Sequence, residues 1–139
     1  MTDVIEVPGP WQHRTVTARG TRFHVAEVGD GPLVLFLHGF PEYWWAWRHQ
    51  LPAFAASGYR AAALDLRGVG GSDHTPRGYD LASLSDDVAG VIRSLGAANA
   101  VVVTYHDTPS ALKMLKLVQA HAPSVPVIVR TLDDADLEQ

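Results

Sequence analysis

Two short stretches of the sequence carry residue types and spacings that could do chemistry. His106-Asp107 follows the apolar run Ala100-Val101-Val102-Val103. A histidine at the C-terminal end of a buried strand stands where open α/β sheets place their ligands. It could act as a weak base, or as a nucleophile toward activated esters. The plainer reading makes His106 a loop residue and sets Asp107 near a helix N-terminus, where its charge is favourable. His38-Gly39-Phe40-Pro41 follows a second apolar run, Leu33 to Leu37. On its residues alone it is a turn, with Gly39 permitting the reversal and Pro41 stiffening it.

Other residues invite comparable pairs of readings. Asp65 and Arg67 flank a Gly-rich loop and could bind a ligand or brace the loop by hydrogen bonds. Trp44 and Trp47 fall on an apolar stripe and read as core, which leaves Trp45 for a pocket or the surface. The seven histidines show no metal-ligand spacing, and no metal is expected.

These residues need elements to position them. Trp11 to Val28 alternates loosely, with a hairpin turn at Ala18-Arg19-Gly20-Thr21. Leu33 to Leu37 is a continuous apolar run, the mark of a strand buried on both faces. Trp44, Trp47, Leu51 and Phe54 share a helical stripe that stops at Gly58. Short buried strands follow at Arg60–Asp65 and Ala100–Thr104. Between them a helix carries Leu81, Leu84, Val88, Val91, Ile92 and Leu95 on one face, with Asp80 as N-cap and Gly96 as C-cap. Thr108-Pro109 opens a third helix, and Val125 to Val129 reads as the last strand. A final helix begins at Asp133. Alternating strands and helices predict an α/β fold: a three-layer sandwich with a mainly parallel sheet and an N-terminal antiparallel hairpin.

Composition narrows the classes. The chain of 139 residues suits a single domain, and 47% hydrophobic with 19% charged residues is ordinary globular composition. There are no cysteines, which excludes disulfides and thiolate metal sites. Net charge is -4 and no basic cluster appears, so no nucleic-acid partner is expected. No apolar run approaches a membrane span and the N-terminus does not read as a signal peptide. The expectation is a cytoplasmic protein without a membrane partner.

Residues 33 to 103 resemble the α/β-hydrolase superfamily, within it the epoxide hydrolase and haloalkane dehalogenase branch. The motifs are His38-Gly39-Phe40-Pro41, Tyr43-Trp44-Trp45-Ala46-Trp47-Arg48, Leu64-Asp65-Leu66-Arg67-Gly68-Val69-Gly70-Gly71-Ser72-Asp73 and Tyr79-Asp80-Leu81, in that order. The resemblance implies that the Phe40 N–H contributes to an oxyanion hole. It also implies a nucleophile elbow after the strand at Ala100. In register there, His106 takes the nucleophile position, with Thr104 and Thr108 in the small flanking positions. Neither serine nor aspartate falls in place. The family's acid and histidine come later, beyond further strands and a cap.

From about Ala100 onward the chain also resembles the latter part of an RCK-type regulatory domain, a Rossmann fold that governs potassium transport. Val102-Val103-Thr104, Pro109-Ser110-Ala111-Leu112, Val127-Ile128-Val129-Arg130 and Asp133-Asp134-Ala135-Asp136-Leu137 carry it. Arg130 would then be a leftover nucleotide contact. Gly68-Val69-Gly70-Gly71 has Asp73 where a dinucleotide fingerprint needs its third glycine, so no cofactor is expected.

Taken together, these readings give an engineered chimera joined near residues 97–104, with the Rossmann-like segment completing the sheet. The expected function is that of a scaffold without natural catalysis, its His38–Pro41 turn a structural relic. Residual ester or epoxide hydrolysis using His106 beside the Phe40 N–H is the first alternative, and a weak nucleotide-binding module is the second. Val125–Val129 would be an exposed edge strand, which invites a homodimer.

Overall fold

A computed structural model describes residues 5–39, 42–105 and 130–132. The chain opens with β1 (Gln12–Ala18) and β2 (Thr21–Val28), an antiparallel hairpin. Its two-residue turn has both central residues at positive φ, Arg19 at 54° and Gly20 at 76°. That geometry matches the right-handed twist of the flanking strands. β3 (Leu33–Leu37), β4 (Arg60–Leu64) and β5 (Val101–Tyr105) run parallel, with β3 central. β6 (Arg130–Leu132) pairs parallel with β5, and the six strands stand in the order β1-β2-β4-β3-β5-β6.

Alternation along the strands divides the core between two faces. Leu33, Leu35 and Leu37 join Ala62, Leu64 and Val102 on one side. Val88, Val91 and Ile92 of α2 (Leu81–Ser94) cover that side. Val34 and Phe36 face the other way, toward Trp44, Trp47 and Leu51. Helical layers therefore lie on both faces of the sheet, the three-layer arrangement expected. Asp80 caps α2 by accepting from the Ser83 N–H at 3.1 Å. The helix ends in a Schellman pair, Ala97 N–H to Ile92 C=O and Gly96 N–H to Arg93 C=O.

Two expectations shift. The single helix over Trp44 to Phe54 is instead a short 3-10 turn, Trp44–Trp47, followed by α1 (Gln50–Ala56). Pro52 explains the break. It has no N–H to donate, and in a helix interior its ring would meet the carbonyl of Arg48, so the helix restarts at Gln50 and places Pro52 in the first turn. The apolar stripe survives, with Trp44, Trp47 and Leu51 fully buried. The last strand is described only at Arg130–Leu132. Val125–Val129, the helix expected from Thr108-Pro109, the final helix and the Rossmann-like completion lie outside the described residues.

Candidate functional site

β3 sends the chain to β4 on one side, whereas β5 lies on its other side. The crevice beyond the C-terminal ends of β3 and β5 is thus the topological switch point, where open α/β sheets bind ligands. Leu37 pairs with Thr104 in register. His38 follows the first strand directly and His106 follows the second. Phe40, Pro41, His106 and Asp107 lie outside the described residues.

His38 is buried and its two ring nitrogens have separate tasks. The Leu66 N–H donates to Nε2 at 3.0 Å. A backbone amide can only donate, so Nε2 accepts and the ring's proton sits on Nδ1. Nδ1 then donates to the Gly39 carbonyl at 3.0 Å, which also accepts from the Glu42 N–H at 2.9 Å. The Gly39 carbonyl is thus held by two donors at the end of β3. Burial holds the His38 ring below its ordinary pKa of 6.5, against the raising effects of the Gly39 carbonyl, Asp65 and Glu42. The neutral tautomer that the two hydrogen bonds require is thereby favoured.

Beside this turn lies a cavity of about 180 Å³. Leu66, Val69, Tyr79 and Leu84 give it apolar walls, and His38 and Arg67 also line it. Leu66 and Arg67 line one side, and Asp65, which precedes them at the end of β4, is buried behind it. Asp65 is fully buried: its Oδ1 accepts from the Trp44 N–H at 2.7 Å and its Oδ2 from the Gly71 N–H at 3.0 Å. Leu66 donates to His38. Arg67 forms a two-pronged pair with Asp87 of α2, Nε to Oδ2 at 2.8 Å and Nη2 to Oδ1 at 2.7 Å. Asp87 raises the Arg67 pKa by those bonds. Asp65 and Arg67 therefore brace the loop, one of the two readings their sequence allowed. Trp45 lies against a separate shallow pocket with Tyr43 and Arg48, whose guanidinium stands 5.0 Å from the indole centroid.

Sequence reasoning missed a second cluster behind the turn. His24 Nδ1 meets Asp65 Oδ2 at 2.7 Å, His24 Nε2 meets His13 Nδ1 at 2.8 Å, and His13 Nε2 meets the Val7 carbonyl at 2.8 Å. A signal existed. The two-residue turn sets Thr15 opposite His24 and Ala26 opposite His13, which makes the histidines diagonal neighbours on one face. It also missed Asp87, which looks like one more solvent-facing acid of α2 until Arg67 is placed above it. Among the described residues no three His, Asp or Glu side chains are grouped to hold a metal ion, and no helix is long and apolar enough to cross a membrane.

A mixed, mainly parallel α/β sheet with a braced turn at its switch point defines a class of open α/β folds that bind ligands there. The particular family follows from comparison: residues 32–105 match the family model described as the alpha/beta hydrolase fold, and the chain belongs to that family. It is 47% identical over 97 residues to Epoxide hydrolase B of Mycobacterium tuberculosis, a match covering 66% of this chain and 27% of that protein. It is 45% identical over 98 residues to Epoxide hydrolase 2 of Siraitia grosvenorii, covering 69% and 31%. The crystal structure of an epoxide hydrolase from Vigna radiata superposes with a TM-score of 0.78 at 37% identity, covering 88% of this chain and 40% of that one. The chain thus spans less than a third of the length of these two curated relatives.

These findings correct the expected function. A recombined scaffold without natural catalysis is overturned by relatives named epoxide hydrolases at 45–47% identity. The inactive reading leaned on the missing serine or aspartate at the elbow position and on an acid and a histidine expected later in the chain, and a sequence spanning less than a third of its relatives does not test for the latter two. The chimera with an RCK-type domain also finds no support. The family match runs through Tyr105, across the expected seam at 97–104, and so accounts for Val102-Val103-Thr104 without a second parent.

Proposed function

We propose that the chain carries the N-terminal part of an epoxide-hydrolysing site, with the His38–Pro41 turn as its oxyanion element. The observation that carries this reading is the 47% identity over 97 residues to a protein named an epoxide hydrolase. The geometry agrees with it. The Gly39 carbonyl is clamped by His38 and by the Glu42 N–H, and the apolar walls of Leu66, Val69, Tyr79 and Leu84 suit the hydrocarbon part of a neutral, weakly polar substrate. Opening an epoxide breaks a ring C–O bond and leaves negative charge on oxygen, which a fixed N–H stabilises.

His106 is the base candidate. It would take a proton from water as the water oxygen bonds to a ring carbon and the ring C–O bond breaks, and the imidazolium so formed would return that proton to the released alkoxide to give the diol. The position holds neither the serine nor the aspartate that the family pattern leads one to expect.

The test is turnover of styrene oxide to its diol by highly purified protein, beside His106→Ala. Saturable diol formation that the variant loses is the expected result. Rates equal to the buffer blank for both proteins would refute the reading for this chain.

A further inference from the structure

The histidine pair behind the turn permits a proton count. The chain of contacts ends on an acceptor at each side, the Val7 carbonyl and the Asp65 carboxylate. A carbonyl never donates, so His13 Nε2 carries a proton. Asp65 already accepts two backbone N–H groups, from Trp44 and Gly71, so its Oδ2 is an acceptor toward His24 as well and His24 Nδ1 carries a proton. The middle contact, 2.8 Å between His13 Nδ1 and His24 Nε2, needs one proton between two nitrogens. Three protons therefore sit on four ring nitrogens. Two neutral imidazoles hold only two.

We infer that His13 and His24 together hold one excess proton, and that His24 is a positioning residue that uses this charge to hold Asp65 against the backbone of the candidate site. The inference rests on reading the turn after β3 as that site. Burial fits it: His24 is 3% exposed and Asp65 0%, and a buried carboxylate requires a charge partner. The ring planes are 19° apart with centroids 5.0 Å apart, and the facing nitrogens stand at 2.8 Å, so the proton can shift between them with little motion of the rings. Trp44 stands edge-on to both rings, and the Ser72 hydroxyl accepts from the His24 N–H at 2.9 Å. The other titratable ring facing Asp65 is His38, whose neutral form is fixed by its own bonds.

Asp65 is what this charge would hold in place. Its two oxygens tie the start of the 3-10 turn at Trp44 to the Gly-rich loop at Gly71. Trp44 lies two residues beyond Glu42, whose N–H closes the oxyanion turn on Gly39. His13 lies on β1, so the relay also fastens the hairpin and the segment at Val7 to that turn.

The test is a long-range 1H–15N correlation of the histidine rings in 15N-labelled full-length protein at pH 7. The expected spectrum has His13 Nε2 and His24 Nδ1 in the protonated range, with one proton shared by the two facing nitrogens. A His24 Nδ1 signal in the unprotonated range would overturn the inference, because the pair would then be neutral. Positioning has its own readout in His13→Leu, which removes the outer acceptor of the shared proton. Exchange of the Trp44 and Gly71 amide protons should then speed at least tenfold, with Val102 on the opposite face unchanged. Unaltered exchange at Trp44 and Gly71 would overturn the positioning role. Neither readout uses turnover, so an inactive protein with the expected ring spectrum would refute the hydrolase reading alone.

Discussion

Replacing Asp87 by Asn perturbs the structure at one buried contact while keeping side-chain volume. Asp87 is 1% exposed and its partner Arg67 is 9% exposed. Removing one charge from a buried pair leaves the other uncompensated, which costs about 3–5 kcal/mol. Several details place this case at the low end. Arg67 keeps its bond to the Thr75 hydroxyl at 3.0 Å and its position over the Phe23 ring at 5.9 Å. Arg19 also reaches Asp87, at 3.2 Å, but its side chain is 43% exposed and water replaces that contact cheaply. The amide of Asn adds a conflict, because its NH2 must face one of the two guanidinium N–H donors.

The expected loss is about 3 kcal/mol. With a urea m-value of about 2 kcal/mol/M, the unfolding midpoint falls by about 1.5 M with unchanged slope. For a domain of this length the melting temperature falls by about 12 °C. Urea denaturation followed by tryptophan fluorescence measures both midpoint and slope. A loss below about 1 kcal/mol would refute the reasoning, since it would mean that the pair is solvated like a surface one. The double replacement Arg67→Met with Asp87→Leu provides the control. It removes both charges and should recover most of the loss.

Three further outcomes follow from the same contacts. Gly70→Ala should destabilise by more than the roughly 1–2 kcal/mol of a left-handed non-glycine residue, because φ is +55° and an added Cβ would stand 2.2 Å from Asp65 Oδ2; calorimetry checks it. Leu35→Ala, at a fully buried position of the central strand, should cost about 2–5 kcal/mol in denaturant unfolding. The His38 ring titrates below its ordinary 6.5 because it is buried, so the unfolded chain binds that proton first. Stability from this group is therefore present above 6.5 and is lost as pH falls from 6.5 through the folded value; His38→Gln, which does not titrate there, should flatten that limb of the stability curve.

Strands β1 to β5 and α2 were legible because their signals are local. Leu33–Leu37 is apolar at every position and is buried at every position. Asp80 and Gly96 bracket α2 at the residues their types mark. The first helix was legible as a stripe but not as two pieces, because the effect of Pro52 depends on where the helix starts. The turn at His38 was visible as a motif, and the placement of Trp44 and Trp47 in the core followed from spacing. What brings the site together was not visible. Asp65 meets His24 across 41 residues and Arg67 meets Asp87 across 20, and neither pair has a helical or strand period. The inactive-scaffold reading failed for a related reason: it judged a site from one loop and from positions this sequence does not span.

The contacts of residues 65–67 show why a loop rich in glycine can still wall a cavity. Asp65 is held on the tryptophan face of the sheet, through Trp44 and His24. Leu66 is held by its N–H on the His38 ring, which follows the neighbouring strand β3. Arg67 is held on the opposite face, through Asp87 of α2. Apolar packing alone could not do this, because a hydrophobic contact is non-directional and the strand has already ended at Leu64. Hydrogen bonds in three directions, those of Asp65 and Arg67 charge-assisted, leave these residues no common axis about which to swing. The glycines that follow can then turn tightly without loosening the wall, and Gly70 must lack a side chain because the Asp65 carboxylate occupies that space. If this is right, breaking either anchor should enlarge backbone motion at Leu66 and so disturb His38. The Arg67–Asp87 pair and the His24–Asp65 pair, on opposite faces of the sheet, should then couple in a double-mutant cycle, which two independent surface braces would not.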